Sequence, residues 1–275
     1  MTYQKPERWK DPANLLFRHQ VGFTAPPHDF DGGPSDFLRM SPDTVGVHGR
    51  MMHLPGYAHG LAQRGENFHL LEDFVECMAN NGVHVCGQIG SNWAHASGQT
   101  PDEIDAYCRE ISEKYETPFH MAGYTMIEAL RAMGAEKVAL NAVYHWPDWW
   151  QGKKHFLEQA GFDVVWAGNF VDQGFFASQE EVNAQTWIFD GDLAAKSMLY
   201  TAEQAPDADA YLVNGMCNFR RPGDGLPQRM VHLTKELEAL VRKPIIASDT
   251  SLYWRIYQTL GIRPVGNHGM LLDSL

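Results

Sequence analysis

The chain has little cysteine: four in 275 residues (Cys77, Cys86, Cys108 and Cys217), with no CxxC spacing. That pattern excludes a disulfide-stapled fold and a thiolate zinc knuckle. Basic residues are also scarce. Lysine and arginine number 22 against 34 acidic residues, for a net charge of -12. Such a balance repels phosphate backbones and anionic lipid surfaces, and no local Lys/Arg cluster offsets it, so neither nucleic acid nor membrane is expected as a partner. No apolar run is long enough to cross a bilayer and no signal-peptide pattern is present, so a cytoplasmic protein is expected. The 13 histidines are scattered, without HExxH or a close helical pair, so no metal site is expected.

What is present is an alternation of strand and helix patterns. With 44% hydrophobic residues the chain can fill one large core or two medium ones. A strand is predicted at Val21–Ala25, halted by Pro26-Pro27-His28, since proline removes ladder donors. Residues 30–42, rich in Gly, Pro and Asp, read as a loop, followed by a second strand from Thr44. Apolar positions Phe68, Leu71, Phe74, Val75 and Met78 mark a helix stopped at Asn81-Gly82. The strand Val83–Ile89 then opens into Gly90-Ser91-Asn92. Further helices follow over 102–115, where Cys108 lies on the core face, and over 122–133. The strand beginning at Lys137 delivers Tyr144 at its end. Helices over 150–159, 192–203, 230–241 and 250–260 alternate with strands at 162–167, 210–213 and 243–248. The fold class is therefore α/β with parallel sheets flanked by helices, arranged as two lobes. Residues 1–20 lack periodicity and read as an added arm.

Polar or glycine residues recur at strand exits, where open α/β sheets bind ligands. The run Ala210–Val213 breaks at Asn214-Gly215 and places the Cys217 thiol beside Asn218 just past a strand. Gly90 permits close approach of a ligand, while Ser91, Asn92 and the following amides offer donors to an anion.

Val21-Gly-Phe-Thr-Ala-Pro-Pro, Val143-Tyr144 with Ala160-Gly161-Phe162, the Cys217-Asn218 turn, Lys243-Pro-Ile-Ile-Ala-Ser248 and a closing Gly269-Met-Leu-Leu, in this order and spacing, carry a resemblance. From Val21 to Leu272 the chain resembles the aspartate/glutamate racemase superfamily, in the branch of maleate isomerases and arylmalonate decarboxylases. The resemblance implies two pseudo-symmetric lobes with a cleft between them, here 21–120 plus 232–275 and 121–231. It also implies a cysteine at each of two facing strand ends in the isomerases and racemases. Cys217 fills the second position, whereas the first, within Gln88–Asn92, has none, and Cys86 lies too early. Gly90-Ser91-Asn92 through Gly98, together with Pro26-Pro27, is more similar to the decarboxylase pattern, with Asn92 in place of a second hydroxyl.

A lone thiol suits a cofactor-free decarboxylation of a substituted malonate-type acid, in which Cys217 protonates an enediolate held by Ser91, Asn92, Tyr144 and backbone amides. Gly90, Pro27, His28 and Asn218 complete the expected substrate contacts. Two other readings stand beside it: a racemase or cis-trans isomerase in which His95 or His28 completes the pair, and a non-catalytic binder of a small acid. The expected partner is a small carboxylic acid, with homo-oligomerisation left open.

Overall fold

The computed structural model describes residues 3–26, 32–215 and 218–275. They fall into two compact units, Met1–Thr125 with Leu252–Gly266 and Leu275, and Met126–Ser251 with Asn267–Ser274.

The first unit is built from β1 (His19–Ala25), α1 (Gly33–Met40), β2 (Val45–Met51), α2 (Leu61–Glu66), α3 (His69–Ala79), β3 (Val85–Gln88), α4 (Pro101–Lys114) and β4 (Phe119–Met121). Its four strands are all parallel in the order β2-β1-β3-β4. Strand β1 is buried along nearly its whole length, as a central parallel strand covered on both faces must be. Segment 30–42 departs from the expected loop, because α1 occupies Gly33–Met40. The glycine and proline that suggested irregular chain stand at the start of the helix, where proline's missing N–H costs nothing, and Phe37 and Met40 face the core. Helix α4 opens with a reciprocal capping box between Thr100 and Glu103.

The arm is folded against this unit. Trp9 Nε1 donates to the Asn80 carbonyl at 2.8 Å. The Trp9 ring lies over Gly82 and the Phe17 ring over Gly46, so close that a Cβ at either glycine would sit 2.8 and 2.3 Å from ring carbon. His19 and Gln20, assigned to the arm from sequence, are the first residues of β1.

After α5 (Ala122–Ala132), the second unit contains β5 (Lys137–Asn141), α6 (Pro147–Gln159), β6 (Asp163–Gly168), α7 (Gln179–Ala184), β7 (Ile188–Asp190), α8 (Gly191–Gln204), β8 (Ala210–Val213), β9 (Asn218–Arg220), β10 (Pro227–Gln228), α9 (Met230–Val241), β11 (Ile245–Ala247) and α11 (Met270–Asp273), while α10 (Ser248–Leu260) starts in it and passes into the first unit at Leu252. Its main sheet is again parallel, in the order β11-β8-β5-β6. Numbered along the chain within each unit, both sheets have the order 2-1-3-4, the internal repeat expected of two pseudo-symmetric lobes. The sequence reading returned the chain to the first lobe at residue 232. Strand β11 instead pairs with β8, and the first unit resumes at Leu252. A second, three-stranded sheet, β10-β9-β7, was not foreseen.

Candidate functional site

The two repeats present equivalent strand exits. In chain order within their sheets β3 and β8 come third and β1 and β5 first, so the exits to consider are Gly90-Ser91-Asn92, Asn214-Gly215 and the turn carrying Tyr144.

In the first unit, Gly90 leaves β3 with φ +103°, a conformation that a side chain resists. Ser91 and Asn92, 4% and 2% exposed, begin a short helical turn running to His95. Gln88, the last residue of β3, is fully buried and bonds the Gly90 carbonyl at 3.0 Å, fixing the orientation of that peptide. Gly123 in the first turn of α5 lets the helix close on this turn: a Cβ there would lie 2.1 Å from the Ser91 carbonyl oxygen and 2.6 Å from Ala94 Cβ. Neither Gln88 nor Gly123 was singled out from sequence. The signal for Gln88 is a carboxamide closing an otherwise apolar buried strand. Cys86, two residues before it, is fully enclosed within β3, and burial drives its thiol well above the ordinary range, so it stays protonated. Cys108 is buried on the core face of α4, as expected.

In the second unit, β5 ends at Asn141, whose buried amide donates to Ser197 Oγ at 2.5 Å and Thr201 Oγ1 at 3.2 Å of α8. The chain then makes a compressed turn, Tyr144 N–H to the Ala142 carbonyl at 2.7 Å, with Val143 at φ +62°. A β-branched residue in the left-handed region is a genuine outlier, and such strain collects where a side chain must be aimed. The side chain it aims is Tyr144, which is buried. Its ring packs on Gly215, where a Cβ would lie 3.0 Å from Cε2 and where φ is +123°. Tyr144 thus lies against the residue two positions before Cys217. Trp146, Trp149 and Trp187 surround the phenol, with ring centres 5.9, 5.4 and 4.9 Å from it. Trp187 and its neighbour Thr186 also have positive φ, 65° and 51°. Three strained residues therefore gather around one aromatic cluster. Asn218, half-buried, opens β9 and pairs with Ile188.

Cys217, Pro27 and His28 lie outside the described residues. Ser91, Asn92 and Gly90 are brought together on one turn, and Tyr144 packs on the Gly215 end of the Cys217 segment. His95 is buried in the turn that follows Asn92.

Several charged groups of the second unit were missed from sequence. Arg229 and Asp249 are buried 4.0 Å apart, and Asp249 accepts from Val231 N–H at 3.1 Å and its own neighbour Thr250 N–H at 2.8 Å. Asp249 follows Ser248 at the carboxyl end of β11. Lys153 in α6 is fully buried, and loss of hydration lowers its ammonium to about 7. On sequence it reads as an ordinary helix-surface lysine. Among the described residues no group of three or more His, Cys, Asp or Glu is placed to hold a metal ion. No described helix is long and apolar enough to cross a membrane.

No protein-family model matches the chain, and no curated protein does either. Solved structures do. The fold is similar to a glycine-to-cysteine variant of arylmalonate decarboxylase in a sulfate-associated form, with TM-score 0.70 and 18% identity over 92% of this chain and 99% of that one. It is likewise similar to a maleate isomerase from Pseudomonas putida, with TM-score 0.67 and 17% identity over 92% and 98%. A Nocardia farcinica maleate cis-trans isomerase bound to TRIS gives TM-score 0.65 and 20% identity over 93% and 99%. At these identities the likeness establishes a shared fold alone, the two-sheet α/β architecture common to these structures.

Proposed function

We propose that the protein is a cofactor-independent decarboxylase of a substituted malonate-type acid. The observation that carries this reading is the exit of β3. The strand end equivalent to the one preceding Cys217 presents glycine, a hydroxyl and an amide, and the sulfur nearest to it along the strand, Cys86, is sealed in the core with its thiol held protonated. Chemistry that needs two facing thiols lacks a partner on that strand; chemistry that needs one proton donor does not.

In the reaction, the bond between the central carbon and one carboxylate breaks and its electron pair passes into the remaining carboxylate, giving CO2 and an enediolate. Ser91, Asn92 and the Tyr144 phenol serve as preorganised donors to the enediolate oxygens, with Asn218 and the Gly90 peptide as further contacts. The Cys217 thiol gives its proton to the carbanionic carbon, and solvent restores it. An ordinary thiol, with pKa about 8.5, is mostly protonated at neutral pH and so is ready to act as an acid. Pro27 and His28 remain proposed substrate contacts. The aromatic wall of Trp146, Trp149 and Trp187 beside Tyr144 supplies apolar surface for the departing carboxylate.

The second reading, isomerisation or racemisation of a small carboxylic acid, is favoured by the two maleate isomerases among the similar structures. Incubation with phenylmalonate and, separately, with maleate in D2O separates the two. Release of CO2 with one deuteron entering the product is the expected result. Deuterium exchange or fumarate formation without CO2 overturns the decarboxylase, and full turnover by Cys217→Ser removes the thiol from its role.

A further inference from the structure

The arm borders an open cavity of about 880 Å³ within the first unit, between itself, β2 and α3. It shares no residue with the strand exits described above. Its walls combine apolar surface from Trp9, Phe17 and Met78 with two guanidinium groups, Arg8 and Arg50. In a chain with 34 acidic residues, no carboxylate among the described residues lines it. Arg8 lies over the Trp9 ring, 4.1 Å from its centre, a placement that holds the cation beside a residue of the cavity wall. Arg50 Nη1 donates to the Asp73 carbonyl at 3.0 Å, which anchors the other arginine while using one of its five N–H donors. The polar floor is already satisfied: His48 Nε2 and Gln20 Oε1 are hydrogen-bonded at 2.7 Å, and Gln20 Nε2 donates to the Gly82 carbonyl at 3.3 Å.

Size, apolar walls and a few fixed polar groups are the attributes of a small-molecule site. Two guanidinium forks without a compensating carboxylate select an anion, and their planar donor geometry matches a carboxylate. We propose that this cavity binds a small amphipathic carboxylate, an aryl or alkyl acid whose body packs on Trp9, Phe17 and Met78 and whose charge meets Arg8 and Arg50. The site is separate from the proposed catalytic groups and stands whether or not the decarboxylase reading does.

Cys77, a half-buried free thiol in the cavity wall, provides a local reporter. The experiment uses the full chain carrying Cys217→Ser, in which the other two thiols, Cys86 and Cys108, are buried. Alkylation of Cys77 by iodoacetamide is followed by peptide mass spectrometry with naphthylacetate, its uncharged amide or inorganic phosphate added. The expected result is saturable protection by naphthylacetate alone. Arg8→Gln and Arg50→Gln, both at exposed side chains that threaten no core packing, each weaken the protecting affinity by about three- to tenfold. Absence of protection, equal protection by the amide or by phosphate, or unchanged affinity in both arginine variants would overturn the proposal.

Discussion

Gly123→Ala tests the link between helix α5 and the Ser91 turn. By helix propensity alone the change is favourable by up to about 1 kcal/mol, because alanine loses less backbone entropy than glycine. The structure reverses the sign. The new Cβ would lie 2.1 Å from the Ser91 carbonyl oxygen, 2.6 Å from Ala94 Cβ and 3.1 Å from the Ser91 carbonyl carbon. Two of these three atoms are backbone, so no rotamer change relieves the overlap, and the turn itself must back away. Overpacking of this kind costs about 1–3 kcal/mol, more than the propensity gain. The displacement needed to restore ordinary contact is about 1 Å, and a misplacement of that size at a reacting group lowers turnover by roughly a hundredfold. Denaturant unfolding monitored by circular dichroism should show a lower midpoint with an unchanged slope, and turnover of the acid identified in the D2O assay should fall with little change in KM. A variant as stable as the parent with full activity would show that Ser91 is not held by this contact, and the argument for the turn as a fixed donor platform would be abandoned.

Ser91→Ala and Tyr144→Phe should each lower turnover by about 100- to 1000-fold while leaving the fold intact; steady-state kinetics within tenfold of the parent for both would refute their role as donors. Lys153 titrates lower in the folded chain than in the unfolded one, so between pH 7 and 10.5 the unfolded state binds more protons and the parent gains stability as pH rises. The difference in unfolding free energy between Lys153→Met and the parent should therefore move against the variant from pH 6 to pH 10, and a pH-independent difference would contradict the buried neutral amine. Arg242 caps α9 in the left-handed region at φ +57° and is exposed, so Arg242→Gly should raise the unfolding free energy by about 0.5–1 kcal/mol; a loss would show that its side chain matters more than its backbone.

The elements legible in sequence are those whose own residues announce them. Strand β8, Ala210–Val213, is a continuous apolar run ended by Asn-Gly, and α3 carries a clear 3.6-residue face, so both fall where periodicity places them. Strand β9 has three residues and β10 two, and they exist because Phe219 and Arg220 find partners in β7 and in Pro227 and Gln228. No local pattern encodes such a pairing. The return of the chain at Leu252 rather than 232 was hidden for the same reason, since β11 could have closed either sheet by composition. The place of Ser91, Asn92 and Tyr144 just past strand ends was legible because strand exits are marked by glycine and polar residues. Gln88 acts by its side-chain amide on a backbone carbonyl, marked only by a carboxamide closing an apolar strand, and Gly123 acts through an absent side chain, which leaves no trace in a reading of functional groups. Lys153 was invisible because burial, not identity, makes it unusual.

The seating of Trp9 over Gly82 and Phe17 over Gly46 gives the arm a fixed pitch. Each ring fills a notch that exists only where a methyl group is missing, so the segment cannot slide along the surface to absorb a change in length. An extra residue between the two rings must bulge, and a deleted one must pull a ring from its seat. The spacing of those two aromatics is therefore a ruler, and length variants of residues 10–16 would register on it in whole-residue steps.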